Sequence, residues 1–208
     1  MTTLSLFEAS EPQKKPGQNI LPKEGEALFY PAFFSKADSD RLYKDLYGNI
    51  KWQQDKIVFY GKLMDLPRLT AWYGDTDKPY KYSGIPMAPN PWSPELLEIK
   101  NKIEEIAKVN FSSVLLNLYR NGKDSVSWHC DNEKELGINP TIGSVSFGEE
   151  RTFKLRNLQD KSLVEKIQLS HGSFLLMKGE TQHKWEHEIP KTSRDLKPRI
   201  NLTFRVIK

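Results

Sequence analysis

The segment Pro198-Arg199-Ile200-Asn201-Leu202-Thr203-Phe204-Arg205-Val206, near the C-terminus, alternates between polar and apolar residues. Because side chains alternate along a β-strand, its apolar residues share one face and Arg199, Asn201, Thr203 and Arg205 share the other. An edge strand with a solvated polar face has the same pattern. Alternatively, the two arginines bind a dicarboxylate inside a jelly roll, since a guanidinium fork matches a carboxylate.

Short strands separated by Gly, Asn or Asp fill the chain before this segment. We predict them at 112–119, 125–130, 141–147, 151–158, 163–169 and 173–177, followed by 199–207. Two amphipathic helices precede them: one begins at a Ser35 or Asp38 cap and ends near Gly48, and one runs from Ser93-Pro94 to about Lys108. Helices first and many short strands later predict an α+β fold, a jelly-roll core with helices packed outside.

The composition of the chain is that of a globular protein with one core. It has 208 residues, 38% hydrophobic and 28% charged. We predict a flexible N-terminal arm over 1–24 and a single domain over 25–208, in which 25–110 precede a core over 111–208. We expect a monomer.

Charge and cysteine content restrict the function classes further. Lys and Arg exceed Asp and Glu by 31 − 27 = 4, which permits a polyanionic partner without demonstrating one. Cys130 is the only cysteine, which excludes a disulfide framework. The longest uncharged apolar stretch, Ala27 to Phe34, is too short to span a bilayer, so we expect no membrane partner. No signal peptide is visible, which predicts a cytoplasmic protein, or a nuclear one in a eukaryote.

The triplet His129-Cys130-Asp131 is a candidate metal site. In an extended chain it sends His129 and Asp131 to the same side, and a distant histidine would complete the 2-His-1-carboxylate triad of non-haem Fe(II) oxygenases. His171, His183 and His187 are the downstream candidates for that third ligand.

Two other chemistries are weaker interpretations of the same region. His183 and His187 have the four-residue spacing of a zinc-binding helix, but Lys184 replaces the general-base Glu, and Pro190 leaves little room for a helix. Cys130 as a nucleophile has nothing nearby in the sequence to activate it, and a buried bystander thiol fits better.

The chain resembles the AlkB family of Fe(II)- and 2-oxoglutarate-dependent nucleic-acid dealkylases over roughly 52–206, and is most similar to the branch that repairs double-stranded DNA. Five motifs carry the resemblance: Pro67-Arg68-Leu69-Thr70-Ala71-Trp72-Tyr73-Gly74-Asp75, Leu116-Asn117-Leu118-Tyr119-Arg120, His129-Cys130-Asp131-Asn132-Glu133, Ser144-Val145-Ser146-Phe147-Gly148 and Arg199-Ile200-Asn201-Leu202-Thr203-Phe204-Arg205. The resemblance implies a double-stranded β-helix core with an N-terminal nucleotide-recognition extension.

The resemblance also implies site residues. His129, Asp131 and His187 would hold Fe(II), with His187 preferred because Trp185-Glu186-His187-Glu188-Ile189-Pro190 looks like the family's third-ligand segment. The residues implied for 2-oxoglutarate are Asn117, Tyr119, Arg199 and Arg205. Tyr80, Tyr82 and Glu133 would bind the substrate base, and Phe59, Tyr60, Lys62 and Arg68 would contact nucleic acid.

The implied reaction is oxidative demethylation of bases such as 1-methyladenine and 3-methylcytosine in DNA, with release of formaldehyde, succinate and CO2. Because the methyl group sits on a Watson–Crick edge, the base must be flipped out of a duplex or start single-stranded. Duplex DNA is the favoured partner; single-stranded DNA and RNA are alternatives. Three other functions stay open: an RNA N-methyl demethylase, a 2-oxoglutarate oxygenase acting on a protein or small molecule, and a non-catalytic nucleic-acid-binding jelly roll.

Overall fold

A computed structural model describes residues 15–59, 61–76, 80–82, 85–87 and 89–208, with backbone only at Phe59, 80–82 and 85–87. Fifteen strands and three α-helices occur in these residues. The strands are β1 (Gln18–Asn19), β2 (Glu26–Tyr30), β3 (Lys56–Phe59), β4 (Lys62–Asp65), β5 (Leu69–Gly74), β6 (Tyr80–Tyr82), β7 (Ile85–Met87), β8 (Ser113–Tyr119), β9 (Val126–His129), β10 (Ile142–Gly148), β11 (Arg151–Asn157), β12 (Val164–Leu169), β13 (Ser173–Lys178), β14 (Trp185–Ile189) and β15 (Arg199–Arg205). The helices are α1 (Lys36–Asn49), α2 (Pro94–Ala107) and α3 (Thr181–Lys184).

Two antiparallel sheets face each other. The major sheet has seven strands in the order β1-β2-β13-β10-β15-β8-β5, and the minor sheet has four in the order β12-β11-β14-β9. From β8 to β11 and again from β12 to β15, consecutive strands alternate between the two sheets, while β11 and β12 form an antiparallel pair within the minor sheet. This is the connectivity of a double-stranded β-helix. The predicted jelly-roll core with outer helices is therefore confirmed.

The strand β15 separates two hydrophobic cores. One core lies beneath the two long helices and contains Ile200, Leu202 and Phe204 of β15. Leu42 of α1 and Ile99 of α2 belong to the same core. The opposite face of β15 carries its polar side chains into the space between the sheets. A second core closes that space on the side of Leu155 and Trp185. The alternation in the sequence thus aims the two arginines inward, and the edge-strand interpretation is wrong, because β10 and β8 pair with β15 on either side.

Both helices begin where the sequence places them. The hydroxyl of Ser35, rather than Asp38, caps α1 by accepting the N–H of Asp38, and Ser93 caps α2. Lys108 ends α2 in the left-handed region at φ 58°. No helix within the described ranges is long and apolar enough to cross a membrane.

The predicted strands lack β1, β2 and β5 of the major sheet and one strand of the core over 111–208, β14. The strand β14 has the pattern Trp185-Glu186-His187-Glu188-Ile189, in which the odd positions are buried and the glutamates are half-buried. Its two glutamates form ion pairs with Lys154 and Arg156 of β11. The strand is internal to the sheet although its sequence looks polar. His183 lies in α3 and His187 in β14, so the zinc-helix interpretation is wrong.

Part of the expected N-terminal arm lies on the domain. The strand β1 pairs with β2, and Ile20 and Leu21 are buried. The indole of Trp185 donates to the carbonyl oxygen of Glu24 at 2.8 Å. The first fourteen residues lie outside the described ranges, so the boundary at Glu24 stays a prediction. The monomeric state also stays a prediction.

Candidate functional site

Three potential metal ligands converge on the inner face of the minor sheet. His129 ends β9 and is paired in register with His187 of β14, while Asp131 follows two residues later. One ligand atom from each of the three lies within 4.8 Å of the other two. The pairing of β9 with β14 therefore selects His187 from the downstream histidines. His183 is exposed, and its Nε2 accepts the N–H of Asn139 at 3.4 Å.

The Asp131 carboxylate is buried and ionised. Burial alone would raise its pKa, but attraction to Arg205 and to the two histidines outweighs burial and lowers the pKa to about 2. Nη2 of Arg205 donates to Oδ1 of Asp131, and Oδ2 lies 4.0 Å from Nε2 of His187. One carboxylate oxygen thus faces the arginine and the other faces the histidine.

Each histidine offers one ring nitrogen to a metal. Burial, reinforced by repulsion from His129, lowers the pKa of His187 to about 3, so its imidazole is neutral at physiological pH. Nδ1 of His129 lies 2.8 Å from the carbonyl oxygen of Ser127. Since a carbonyl oxygen only accepts, Nδ1 of His129 carries a proton, and Nε2 is the ring nitrogen that can face a metal. Two imidazoles and one carboxylate suit a divalent transition metal.

A cavity of about 300 Å³ extends from the triad into the space between the sheets. Arg199 lines it and is only 1% exposed. Nη2 of Arg199 donates to Oγ of Ser146 at 2.9 Å, whereas its Nε and Nη1 have no hydrogen-bond partner among the described residues. Burial lowers the pKa of Arg199 to about 10, which leaves it protonated at neutral pH. A buried cation with two unused donors is suited to a carboxylate ligand.

The other residues implied for 2-oxoglutarate also line the cavity. The Tyr119 ring lies under the Arg199 guanidinium, 5.1 Å from ring centre to guanidinium carbon. Oδ1 of Asn117 accepts a hydrogen bond from Nε of Arg68 at 2.7 Å. With Arg205 beside Asp131 and Arg199 farther into the cavity, two cations face the same space.

Arg68, predicted to contact nucleic acid, is buried in the wall of the cavity. It is 7% exposed, and Nη1 donates to the carbonyl oxygen of Ser125 at 3.2 Å. In the cavity wall Arg68 thus holds the side chain of Asn117, and its contact with nucleic acid stays a prediction. Arg68 lies directly before β5, in which four of six residues are buried, and this position could have indicated that Arg68 is buried too.

The remaining expected substrate residues lie toward the N-terminal hairpins. Glu133 lines the cavity, and its Oε2 is buried without a hydrogen-bond partner among the described residues. Phe59 pairs with Lys62 where β3 turns into β4, and Tyr60 lies outside the described residues. Tyr80 and Tyr82 belong to β6, of which only the backbone is described.

Three polar residues at the site were not predicted as site residues from the sequence. On β10, Ser144 lines the cavity and accepts a hydrogen bond of 2.9 Å from Asn201, and Ser146 accepts one of 2.9 Å from Arg199. Because they alternate with Val145 and Phe147, the sequence could have indicated that the two serines share one face of a strand. Gln182, which contacts Asp131, lies in a four-residue helix that no sequence pattern marks.

Comparison with known proteins agrees with this geometry. The model of the 2OG-Fe(II) oxygenase superfamily matches residues 26–205. Human alpha-ketoglutarate-dependent dioxygenase alkB homolog 3 is 40% identical over 226 aligned residues, covering 97% of this chain and 78% of that protein. Mouse DNA oxidative demethylase ALKBH2 is 35% identical over 209 aligned residues, covering 96% of this chain and 87% of that protein.

A solved structure, that of OsALKBH1, shares the fold, with a TM-score of 0.58 at 16% identity over 93% of this chain and all of that one. The superfamily's name states its cofactors, Fe(II) and 2-oxoglutarate, and the triad and the buried arginine fit them. The expected dioxygenase activity and cofactors are therefore confirmed. This chain belongs to the AlkB family of Fe(II)- and 2-oxoglutarate-dependent dioxygenases.

Proposed function

We propose that this protein oxidatively demethylates cationic N-alkylated bases, such as 1-methyladenine and 3-methylcytosine, in DNA. The observation that carries the proposal is the buried, unpartnered Oε2 of Glu133 in the wall of the cavity that holds the triad. A carboxylate there attracts a positively charged base and accepts from its exocyclic amine. The names of the similar human and mouse proteins support the reaction class.

The chain's own residues divide the work between cofactor and substrate. His129, Asp131 and His187 would hold Fe(II), which with 2-oxoglutarate and O2 supplies the oxidising power when bound. Arg199 would bind the distal carboxylate of 2-oxoglutarate, and Arg205 keeps Asp131 ionised beside it. Hydroxylation of an N-methyl group gives a hemiaminal that collapses to formaldehyde and the unmodified base. Such a reaction requires no hydrolytic base.

The β3–β4 hairpin supports duplex DNA as the partner. Val58 and Leu63 are directly opposite each other and are 71% and 66% exposed, and Met64 is also exposed. Ile57, on the other face of the hairpin, lines the cavity. An exposed apolar hairpin beside the cavity can wedge into the gap that a flipped base leaves. Phe59, Tyr60 and Lys62 remain the predicted tip contacts.

The base slot remains a prediction. Tyr82 would stack on the flipped base opposite His129, and Tyr80 would hydrogen-bond to it. Both belong to the β6–β7 hairpin, whose register pairs Tyr80 with Met87 and Tyr82 with Ile85.

The deciding experiment is formaldehyde release from a duplex oligonucleotide bearing one 1-methyladenine, with Fe(II), ascorbate and 2-oxoglutarate. Asp131→Ala is the control. We expect release from the wild type and none from the variant. Matched single-stranded DNA and RNA substrates run in parallel rank the three nucleic acids. If 2-oxoglutarate binds in a metal-dependent manner but no methylated oligonucleotide releases formaldehyde, the proposed substrate is wrong and the oxygenase acts on another molecule.

A further inference from the structure

The side chain of Gln182 lies behind the triad and is completely buried. It belongs to α3, the single helical turn that leads directly into β14. Its Oε1 accepts the backbone N–H of Asp131 at 2.8 Å, a contact between residues 51 positions apart. Its Nε2 points to the thioether of Met177, 3.6 Å from Sδ. The amide orientation follows from the chemistry, because only the carbonyl oxygen can accept an N–H.

Asp131 needs such a contact because no strand holds it. The strand β9 ends at His129, so Asp131 lies beyond the last residue that pairs with β14. Its carboxylate contacts Arg205 and its backbone N–H contacts Gln182. Because both the backbone and the carboxylate of Asp131 are held, its short side chain has little freedom of direction. The carboxylate is aimed at His187.

The same turn connects two ligands that are far apart in sequence. Gln182 precedes His187 by five residues, on the segment that becomes β14. The thiol of Cys130 points to the carbonyl oxygen of Trp185, also on that segment, with Sγ 3.5 Å away. The loop carrying Asp131 is thus fastened to the segment carrying His187 beside the triad.

We propose that Gln182 is a positioning residue that orients Asp131 for the metal before the metal binds. Gln182 is neither part of the triad nor among the residues that line the cavity, and it acts through the backbone of Asp131. The inference depends on the triad being the metal site, which the proposed function shares. Partners that orient metal ligands typically change metal affinity 10- to 100-fold when they are removed, and we expect about tenfold here.

The test uses Mn(II), a redox-stable probe, titrated into the metal-free protein while free Mn(II) is measured by electron paramagnetic resonance. Gln182→Met keeps the length of the side chain but removes the acceptor oxygen. Thr181→Val is the matched control, because Thr181 is equally buried in the same turn and hydrogen-bonds to Glu26 instead of Asp131. We expect the Kd for Mn(II) to rise about tenfold in Gln182→Met and to stay within about twofold in Thr181→Val. Melting temperatures of the metal-free variants report the structural cost separately.

Further measurements distinguish positioning from a general loss of stability. Gln182→Glu retains an acceptor oxygen, so it should bind Mn(II) more tightly than Gln182→Met. Equal Mn(II) affinity in Gln182→Met and wild type overturns the proposal, as does equally weak binding by the Glu and Met variants. Should Gln182→Met not fold, hydrogen exchange of the Asp131 amide in the metal-free wild type decides: protection supports the proposal, and unprotected exchange overturns it. If the wild type does not bind Mn(II), or if Asp131→Ala binds it as tightly as the wild type does, the triad is not the metal site. That result would refute the proposed function as well.

Discussion

The guanidinium of Arg68 donates a hydrogen bond of 2.7 Å to the side-chain oxygen of Asn117, inside the cavity that holds the triad. A second bond reaches the carbonyl oxygen of Ser125, the residue directly before β9. One buried arginine therefore joins the cavity wall on β8 to the strand that carries His129. Arg68 also lies three residues after the β3–β4 hairpin, so it connects the end of that hairpin to the cavity wall.

Replacing Arg68 by Met should weaken 2-oxoglutarate binding. Loss of a buried, charge-assisted hydrogen bond of about 1.5–3 kcal/mol would free Asn117 and raise the KM for 2-oxoglutarate about tenfold. Steady-state kinetics with 2-oxoglutarate varied at saturating oligonucleotide measures it. Lys62→Ala, at an exposed position, is the control and should leave this KM unchanged. If the variant loses affinity for DNA but keeps its KM for 2-oxoglutarate, Arg68 contacts DNA and does not support the cofactor site.

Arg199→Met should abolish 2-oxoglutarate binding without destabilising the cofactor-free protein. The buried Arg199 leaves two donors unused among the described residues, so its desolvation is poorly compensated without a ligand. We expect the free energy of unfolding to stay the same or to rise by up to about 2 kcal/mol. Urea unfolding with and without 2-oxoglutarate tests both statements: only the wild type should be stabilised by the cofactor. A loss of more than about 2 kcal/mol without cofactor would mean that Arg199 is structural.

Glu133→Gln should selectively impair demethylation of charged bases. The substitution keeps the shape of the side chain and removes its charge, so kcat/KM for 1-methyladenine should fall about 10- to 100-fold, or about 1.4–2.7 kcal/mol. The comparison substrate is 3-methylthymine, which is neutral. Equal losses on both substrates would show that Glu133 does not recognise charge.

Val58→Ser and Leu63→Ser should reduce activity on duplex DNA more than on single strands. Both side chains are exposed, so their removal changes the stability of the fold by less than about 0.5 kcal/mol, whereas an apolar wedge is lost from the hairpin. Demethylation rates on matched duplex and single-stranded oligonucleotides measure the effect, with the exposed Leu97→Ser on α2 as the control. Tyr60→Ala should behave like the hairpin variants. Similar losses on both substrates would exclude the wedge.

Asp124→Asn should destabilise the loop between β8 and β9 in a pH-dependent way. Burial raises the pKa of Asp124, but hydrogen bonds from Arg120 outweigh burial and lower it below its ordinary value. Because the folded-state pKa is the lower one, the stabilisation is complete above the unfolded pKa of about 3.9 and is lost as the pH falls through the folded value. We expect a deficit of about 1–3 kcal/mol at pH 7 that shrinks below about pH 4. Urea unfolding at pH 7, 5 and 3 checks it; a constant deficit would contradict the ion-pair explanation.

Strand alternation in the sequence was sufficient to predict most of the core. Alternation on β15 assigned Arg199 and Arg205 to one face and the apolar residues to the other, and the sheet places those faces as expected. The strand β14 was missed because its glutamates are covered by cations on β11, a contact that local patterning does not contain. The sequence of a single strand does not show its partners on neighbouring strands. A strand whose charged side chains are paired across the sheet therefore resembles a polar loop.

The sequence by itself determined the alternation of β15, the side shared by His129 and Asp131, and the cap of α2, because each depends on residues a few positions apart. Spacing along the chain left three downstream histidines open and the family resemblance favoured His187; the tertiary structure gives the physical reason, because β9 pairs with β14 while His183 faces Asn139. Only the tertiary structure decided the burial of Arg68 against Asn117 and the contact of Gln182 with Asp131. These contacts join distant segments, and desolvation and hydrogen bonding are fixed only when the sheets close around the cavity.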